Sequence, residues 1–327
     1  MASTLAIAAL TALTLAAAPL VPDEPGYTLA DAADFDEPLA EEVDTDTDRH
    51  RRLTVPVTIE GKGPYNFMVD TGSQTTVVSR HLGERHQMTS LGTARVIGMA
   101  GSKQVELVRL DGLELASRMF DNLEVPVLEA EHMGADGILG LDSLQDLRVV
   151  IDFRADSIAI DDARALGGDR GYEIVVRARN KKGRLIITDA EIDGVRTAVI
   201  VDTGSQGSIG NLALQKRLRA RAMQEITSTD VTGTTITGRL DKPRSLRIGG
   251  SGQRNLSLDG LYVSYADAPA FAALGLADKP AMVLGVEELR LFDRIAIDFA
   301  ERTVLFDLPR SAWRTPPAEP TDGTKRL

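Results

Sequence analysis

The six residues Val-Asp-Thr-Gly-Ser-Gln occur twice in the 327-residue chain, at 69–74 and 201–206, so Asp70 and Asp202 stand in identical surroundings. Two carboxyl groups about 3 Å apart cannot both ionise cheaply, so one pKa rises, the other stays low, and the pair holds a single proton. The ionised member can take a proton from water while the protonated member donates to a carbonyl oxygen. That is the chemistry needed to hydrolyse an amide without a metal, a serine or a cysteine nucleophile. The titration belongs to the pair, not to either residue. The neighbouring residues suit the task. Gly72 and Gly204 let the backbone turn and bring amide N–H groups near the carboxylate. Thr71 and Thr203 carry hydroxyls that can reach the opposite loop, and Ser73 and Ser205 are expected to hydrogen-bond the outer oxygen of their own aspartate.

One Asp-Thr-Gly is an ordinary turn sequence; the weight comes from repetition. Upstream of each copy lies a strand-and-turn signal, TIEGKGP at 58–64 and EIDGVR at 191–196. Downstream come DGILGLDSL at 136–144 and AMVLGVEEL at 281–289, and then VVIDF at 149–153 and IAIDF at 295–299. Four landmarks in the same order identify an internal duplication. Asp152 and Asp298, in the last of these landmarks, are expected to be structural strand-end carboxylates.

The intervening runs are rich in β-branched residues, partly alternating, and bounded by Gly, Asn and Asp. Helical signals are short, at 211–223 behind the N-cap candidate Asn211 and at 269–277. These features predict an all-β fold of two similar lobes with few short helices, residues 52–162 and 163–310, the boundary falling in the charged, glycine-containing stretch 161–172.

On these motifs the chain resembles the retropepsin-like aspartic proteases, in a fused two-copy bacterial form with the two-lobed organisation of the pepsin family. The resemblance spans about residues 52–308. It implies two acid-protease-like β-barrel lobes related by a pseudo-two-fold axis, and an aspartic endopeptidase that acts on an extended protein segment. Asp70 and Asp202 would be the catalytic pair, supported by Thr71, Gly72, Ser73, Thr203, Gly204 and Ser205, with the threonines interlocking beneath them. The second family motif falls on Ile138-Leu139-Gly140 and Val283-Leu284-Gly285. Flap hairpins are assigned to 96–103, with Gly98 and Gly101, and by position alone to 231–238, with Gly233. No flap tyrosine of the pepsin kind stands near 96–103. A non-catalytic peptide- or protein-binding module that keeps the fold is the alternative, and a maturation protease with one partner protein is a narrower form of the first reading.

The charge distribution narrows the partners. Residues 1–48 hold no Lys or Arg and 11 acidic residues, which leaves 37 basic and 37 acidic residues in the remainder of a chain of net charge −11. A neutral body lacks the basic stripe that nucleic acid requires. The acidic stretch 23–51 reads as a disordered linker or pro-segment. Residues 1–22 read as a signal peptide or a membrane anchor, which predicts export to the periplasm or tethering facing it. Residues 311–327 read as a polar tail. The four histidines, His50, His81, His86 and His132, have no metal-ligand spacing, so neither metal nor cofactor is expected, and two half-sites on one chain predict activity as a monomer.

Overall fold

The computed structural model describes residues 53–115, 118–220, 223–249 and 255–309, with the backbone of four short strands before residue 48. Apart from those strands, the expected leader and acidic linker lie outside the described residues, as does the C-terminal tail. Among the described residues the fold is all-β with six short helices, as the sequence predicts.

The two halves use one plan. In the first, the strand order across the sheet runs Ser90–Ile97, Ser102–Leu110, Leu123–Leu128, Val77–Ser79, Gly137–Leu139, Lys62–Val69, Leu53–Ile59. In the second it runs Gln224–Asp230, Thr235–Asp241, Val263–Ala266, Ser208–Asn211, Ala281–Leu284, Ala198–Val201, Arg184–Ile187. The strand leading into each aspartate pairs in parallel with the strand of the second motif, Leu139 opposite Val69 and Leu284 opposite Val201. A parallel pair of consecutive-looking strands needs a long crossover, and in each half that crossover contains the hairpin Ser90–Leu110 or Gln224–Asp241.

Local turn chemistry sets the registers. Glu60-Gly61, Lys182-Gly183 and Asp193-Gly194 each have two successive residues at positive φ, the conformation of the two-residue turn whose twist matches a β-hairpin. Asn211 caps the helix Leu212–Leu218 by accepting from the Leu214 amide at 2.8 Å. That helix stops short of the predicted residue 223 because Arg219 takes the left-handed conformation. The weaker helical signal resolves into Pro269–Ala273, with proline in the first turn.

A third sheet takes strands from both halves. Arg148–Asp152 lies antiparallel to Arg294–Asp298, with Arg148 opposite Asp298 and Asp152 opposite Arg294. Repeat-equivalent strands thus meet about a local two-fold. The two aspartates of the Ile-Asp-Phe landmarks are structural, as expected. Asp152 accepts from the amides of Arg154 and Ala155. Asp298 is wholly buried and accepts from Arg148 Nε at 2.8 Å, while Arg148 also reaches Gly168 and Asp169 in the connection between the halves.

Arg148 is 1% exposed, so deleting its buried partner leaves a cation with too little compensation. Asp298→Ala is expected to cost about 3 kcal/mol in urea unfolding, and the apolar pair Arg148→Met with Asp298→Leu to recover most of it. Wild-type stability for Asp298→Ala would remove the ion pair from the list of features that hold the halves together.

Candidate active site

Each aspartate ends a fully buried strand. Phe67, Met68 and Val69 precede Asp70, and Val199, Ile200 and Val201 precede Asp202, none more than 3% exposed. The chain then leaves the strand in a loop whose amides fold back on the carboxylate. Asp70 Oδ1 accepts from the amides of Gly72 and Ser73, both at 2.8 Å, and Asp202 Oδ1 accepts from the Gly204 amide at 2.9 Å. The serine hydroxyls do not take the expected part. Ser73 Oγ donates to Thr75 O and Ser205 Oγ to Gly207 O, each closing its own loop. Backbone amides reach the carboxylate first, because they are already held at the turn.

The two loops cross. Thr71 Oγ1 donates to Val201 O at 3.1 Å and accepts from the Thr203 amide at 3.2 Å. Thr203 Oγ1 donates to Val69 O at 2.6 Å and accepts from the Thr71 amide at 3.1 Å. The glycines are required by close approach rather than by an unusual φ. A Cβ on Gly72 would stand 2.4 Å from Asp202 Oδ2, and one on Gly204 would stand 2.3 Å from Asp70 Cγ. Gly140 and Gly285 lie behind the loops, where a Cβ would strike the Thr75 and Gly207 backbones.

Asp70 and Asp202 are both wholly buried, and the carboxyl of each lies against the loop glycine of the other half. Burial raises both pKa values above the ordinary carboxylate range, and Asp70 raises that of Asp202 further. The amide bonds pull back in the other direction, with two on Asp70 and one on Asp202.

Three residues at the site were not singled out in the sequence. Arg184 is wholly buried, and its Nε donates to Gly72 O at 2.6 Å. It was detectable: Arg-Leu stands eighteen residues before each aspartate, as Arg52-Leu53 and Arg184-Leu185, although Arg52 lies outside the described residues. Glu288, three residues past Gly285, accepts from Ser208 Oγ at 2.5 Å, and Ser208 Oγ in turn accepts from the Gly285 amide. Burial pushes the Glu288 pKa up to about 8. The first half has a different solution there, Thr76 bonded to Asp142 and Ser143.

The third is Asp230, at the tip of the second hairpin. Gly98 and Gly101 lie at the tip of the first hairpin and Gly233 at the tip of the second, and the fold brings the two tips together. Asp230 Oδ2 accepts from the Ala100 amide at 3.0 Å, while its Oδ1 is held by Thr232 and Thr234. Lys103 Nζ donates to Thr232 O. The tips also exchange side chains: Met99 packs among Ile186, Ile200, Ile209, Phe271 and Val283 of the second half, and Val231 among Met68, Val96, Val105, Leu128 and Ile138 of the first.

Residues 55–143 match a family model described as aspartyl protease. That span includes Asp70, the first hairpin and Gly140. No curated protein sequence matches the chain. Among solved structures, the aspartic proteinase from Irpex lacteus superposes with a TM-score of 0.50 at 14% identity, covering 84% of this chain and 98% of that one. A retropepsin-like aspartic protease from Rickettsia conorii aligns at 19% identity over 41% of this chain and 88% of its own, with a TM-score of 0.27 that carries no argument. The resemblance to aspartic proteases therefore holds, in sequence over residues 55–143 and in fold over most of the chain.

Between the unfolded value of 4.5 and the folded value of about 8, Glu288 keeps a proton that the unfolded chain releases. Stability therefore falls as pH rises through that interval. Asp307, raised to about 7 by burial and Glu173, acts in the same direction. Urea midpoints measured from pH 5 to 8 are expected to decline for the wild type and to decline less for Glu288→Gln. An unchanged slope in Glu288→Gln would mean that Glu288 is ionised in the fold.

Proposed function

We propose that this chain is an aspartic endopeptidase in which one aspartate from each half, residues 52–162 and 163–310, activates a water for attack on a peptide carbonyl. The observation that carries the reading is the crossing of two identical loops that buries Asp70 against Asp202. Asp70, with two amide donors, is the better-stabilised anion and takes the proton of the attacking water. Asp202, whose anion has one amide donor and faces Asp70, keeps the shared proton and donates it to the carbonyl oxygen. As the tetrahedral intermediate collapses, Asp70 passes the proton it gained to the leaving amine while Asp202 takes one back from a gem-diol hydroxyl as the C=O re-forms, so the pair is in its starting state before water replaces product.

The substrate is an extended peptide or protein segment, not nucleic acid. Strand addition along hairpin edges supplies backbone hydrogen bonds without demanding a particular side chain. Support comes from the chain itself, since its segment Ala6–Ala8 pairs with Arg95–Ile97 and Leu13–Leu15 with Ser228–Asp230. Both loops belong to one chain, so the enzyme works as a monomer. No helix among the described residues is long and apolar enough to cross a membrane. Placement in the periplasm, free or tethered, rests on residues 1–22.

Asp70→Asn and Asp202→Asn, assayed singly on an unstructured protein substrate, are each expected to lower kcat by at least about a thousandfold, since neither half-site has a second base. Wild-type kcat/KM is expected to follow a bell in pH, as the singly protonated pair is the active form. Near-normal hydrolysis by either variant would refute the shared-pair mechanism. Asp230→Ala, which removes the acceptor for Ala100, is expected to lower kcat/KM about tenfold while leaving both limbs of the bell in place, as loss of one charge-assisted bond in a closing element predicts.

A further inference from the structure

Arg184 starts the second strand of the hairpin Arg179–Ile187, and that hairpin docks across the boundary between the halves. Gln74 Nε2, from the loop that carries Asp70, donates to Lys182 O at 2.8 Å, and Lys182 Nζ donates to Ala273 O at 2.7 Å. With both sides of the turn held, the next residue is aimed beneath the crossed loops. Its guanidinium has no solvent exposure, and its Nε bond ends on Gly72 O. Gly72 is the residue whose amide binds Asp70 Oδ1 and whose Cα faces the Asp202 carboxyl. Arg184 therefore grips one of the two peptide segments, those of Gly72 and Gly204, that touch both aspartates.

A buried guanidinium is costly unless opposite charge lies close by. Asp202 and Asp70 are the carboxylates that act on Arg184 among the described residues, and Arg184 is the cation that acts on each of them. The total charge of the three groups is +1 with two protons on the pair, zero with one, and −1 with none. A site shut off from water favours the zero state, which is the singly protonated pair.

We propose that Arg184 is a positioning residue for the Asp70–Asp202 pair, its fixed buried charge being the counter-ion of the singly ionised state and its Nε bond holding the Gly72 peptide against both carboxyls. The inference rests on the reading of that pair as a shared-proton site. It assigns to a hairpin outside the repeated Asp-Thr-Gly-Ser motif the setting of the pH range in which the site works. Removing the charge leaves the singly ionised pair at −1, so protons bind more tightly in both steps and the whole bell moves to higher pH.

The test uses the full chain. In Arg184→Gln both limbs of the kcat/KM bell are expected to move up by about one pH unit or more, as loss of a unit charge at close range predicts, while Arg184→Lys keeps the limbs near their wild-type positions. A uniform loss of kcat/KM with unmoved limbs in Arg184→Gln would reduce Arg184 to a packing role and overturn the proposal. A second measurement needs no catalysis. Asp70→Asn combined with Asp202→Asn strips the counter-ion from Arg184, so adding Arg184→Gln to that double variant is expected to raise its urea midpoint, even if Arg184→Gln alone does not fold. A triple variant no more stable than the double overturns the proposal. If the midpoint rises but the wild-type chain cleaves no peptide, the pairing of Arg184 with the aspartates stands and the assignment of protease activity falls.

Discussion

Everything at the centre of this molecule follows from holding two carboxyl groups of like charge together out of water. Nothing about that arrangement is favourable by itself, since burial and mutual repulsion both oppose ionisation. It persists because the loops that carry the aspartates are tied to each other as well as to their own halves. Each threonine hydroxyl donates to the carbonyl before the opposite aspartate and accepts the amide after it. Each loop glycine leaves the space into which the opposite carboxyl fits. The strands behind have no freedom to separate, because each aspartate strand is paired in register with the second-motif strand of its own half.

The duplication would yield two equal half-sites, yet the proposed sharing of one proton calls for unequal ones. The chain departs from its own symmetry at the points that touch the pair. Asp70 has two amide donors and Asp202 has one. Behind the loops, Thr76 meets Asp142 and Ser143 in the first half, whereas Ser208 meets the buried acid Glu288 in the second. Small differences in hydrogen bonding are amplified where the dielectric is low, so a nearly symmetric backbone can carry an asymmetric proton.

The hairpins make the same cross-connection on the other side of the cleft. Met99 of the first enters the apolar cluster of the second half, and Val231 of the second enters that of the first. Asp230 joins the tips through the Ala100 amide. The position of each tip is thus fixed by packing in the opposite half.

The residues at 69–74 and 201–206, read with the apolar-apolar-Gly and Ile-Asp-Phe landmarks, were enough for the all-β plan and pointed to a duplication and to the two aspartates without any coordinates, because short-range pattern and spacing carry that information. The hairpin tips were legible as glycine-bearing turns, and the capped helix after Asn211 as a local signal. What the serines do was misjudged, since each hydroxyl closes its own loop on the carbonyl two residues on. Asp230 and Glu288 became visible only in three dimensions, and Arg184, although marked by a repeated Arg-Leu, acquired a role only there. Each draws its meaning from a partner at least 80 residues away, in Ala100, Ser208 and Gly72 respectively. A charged residue in a strand or turn is unremarkable until the fold shows that it is buried and what it faces, and burial is a property of the packed chain, not of the residue.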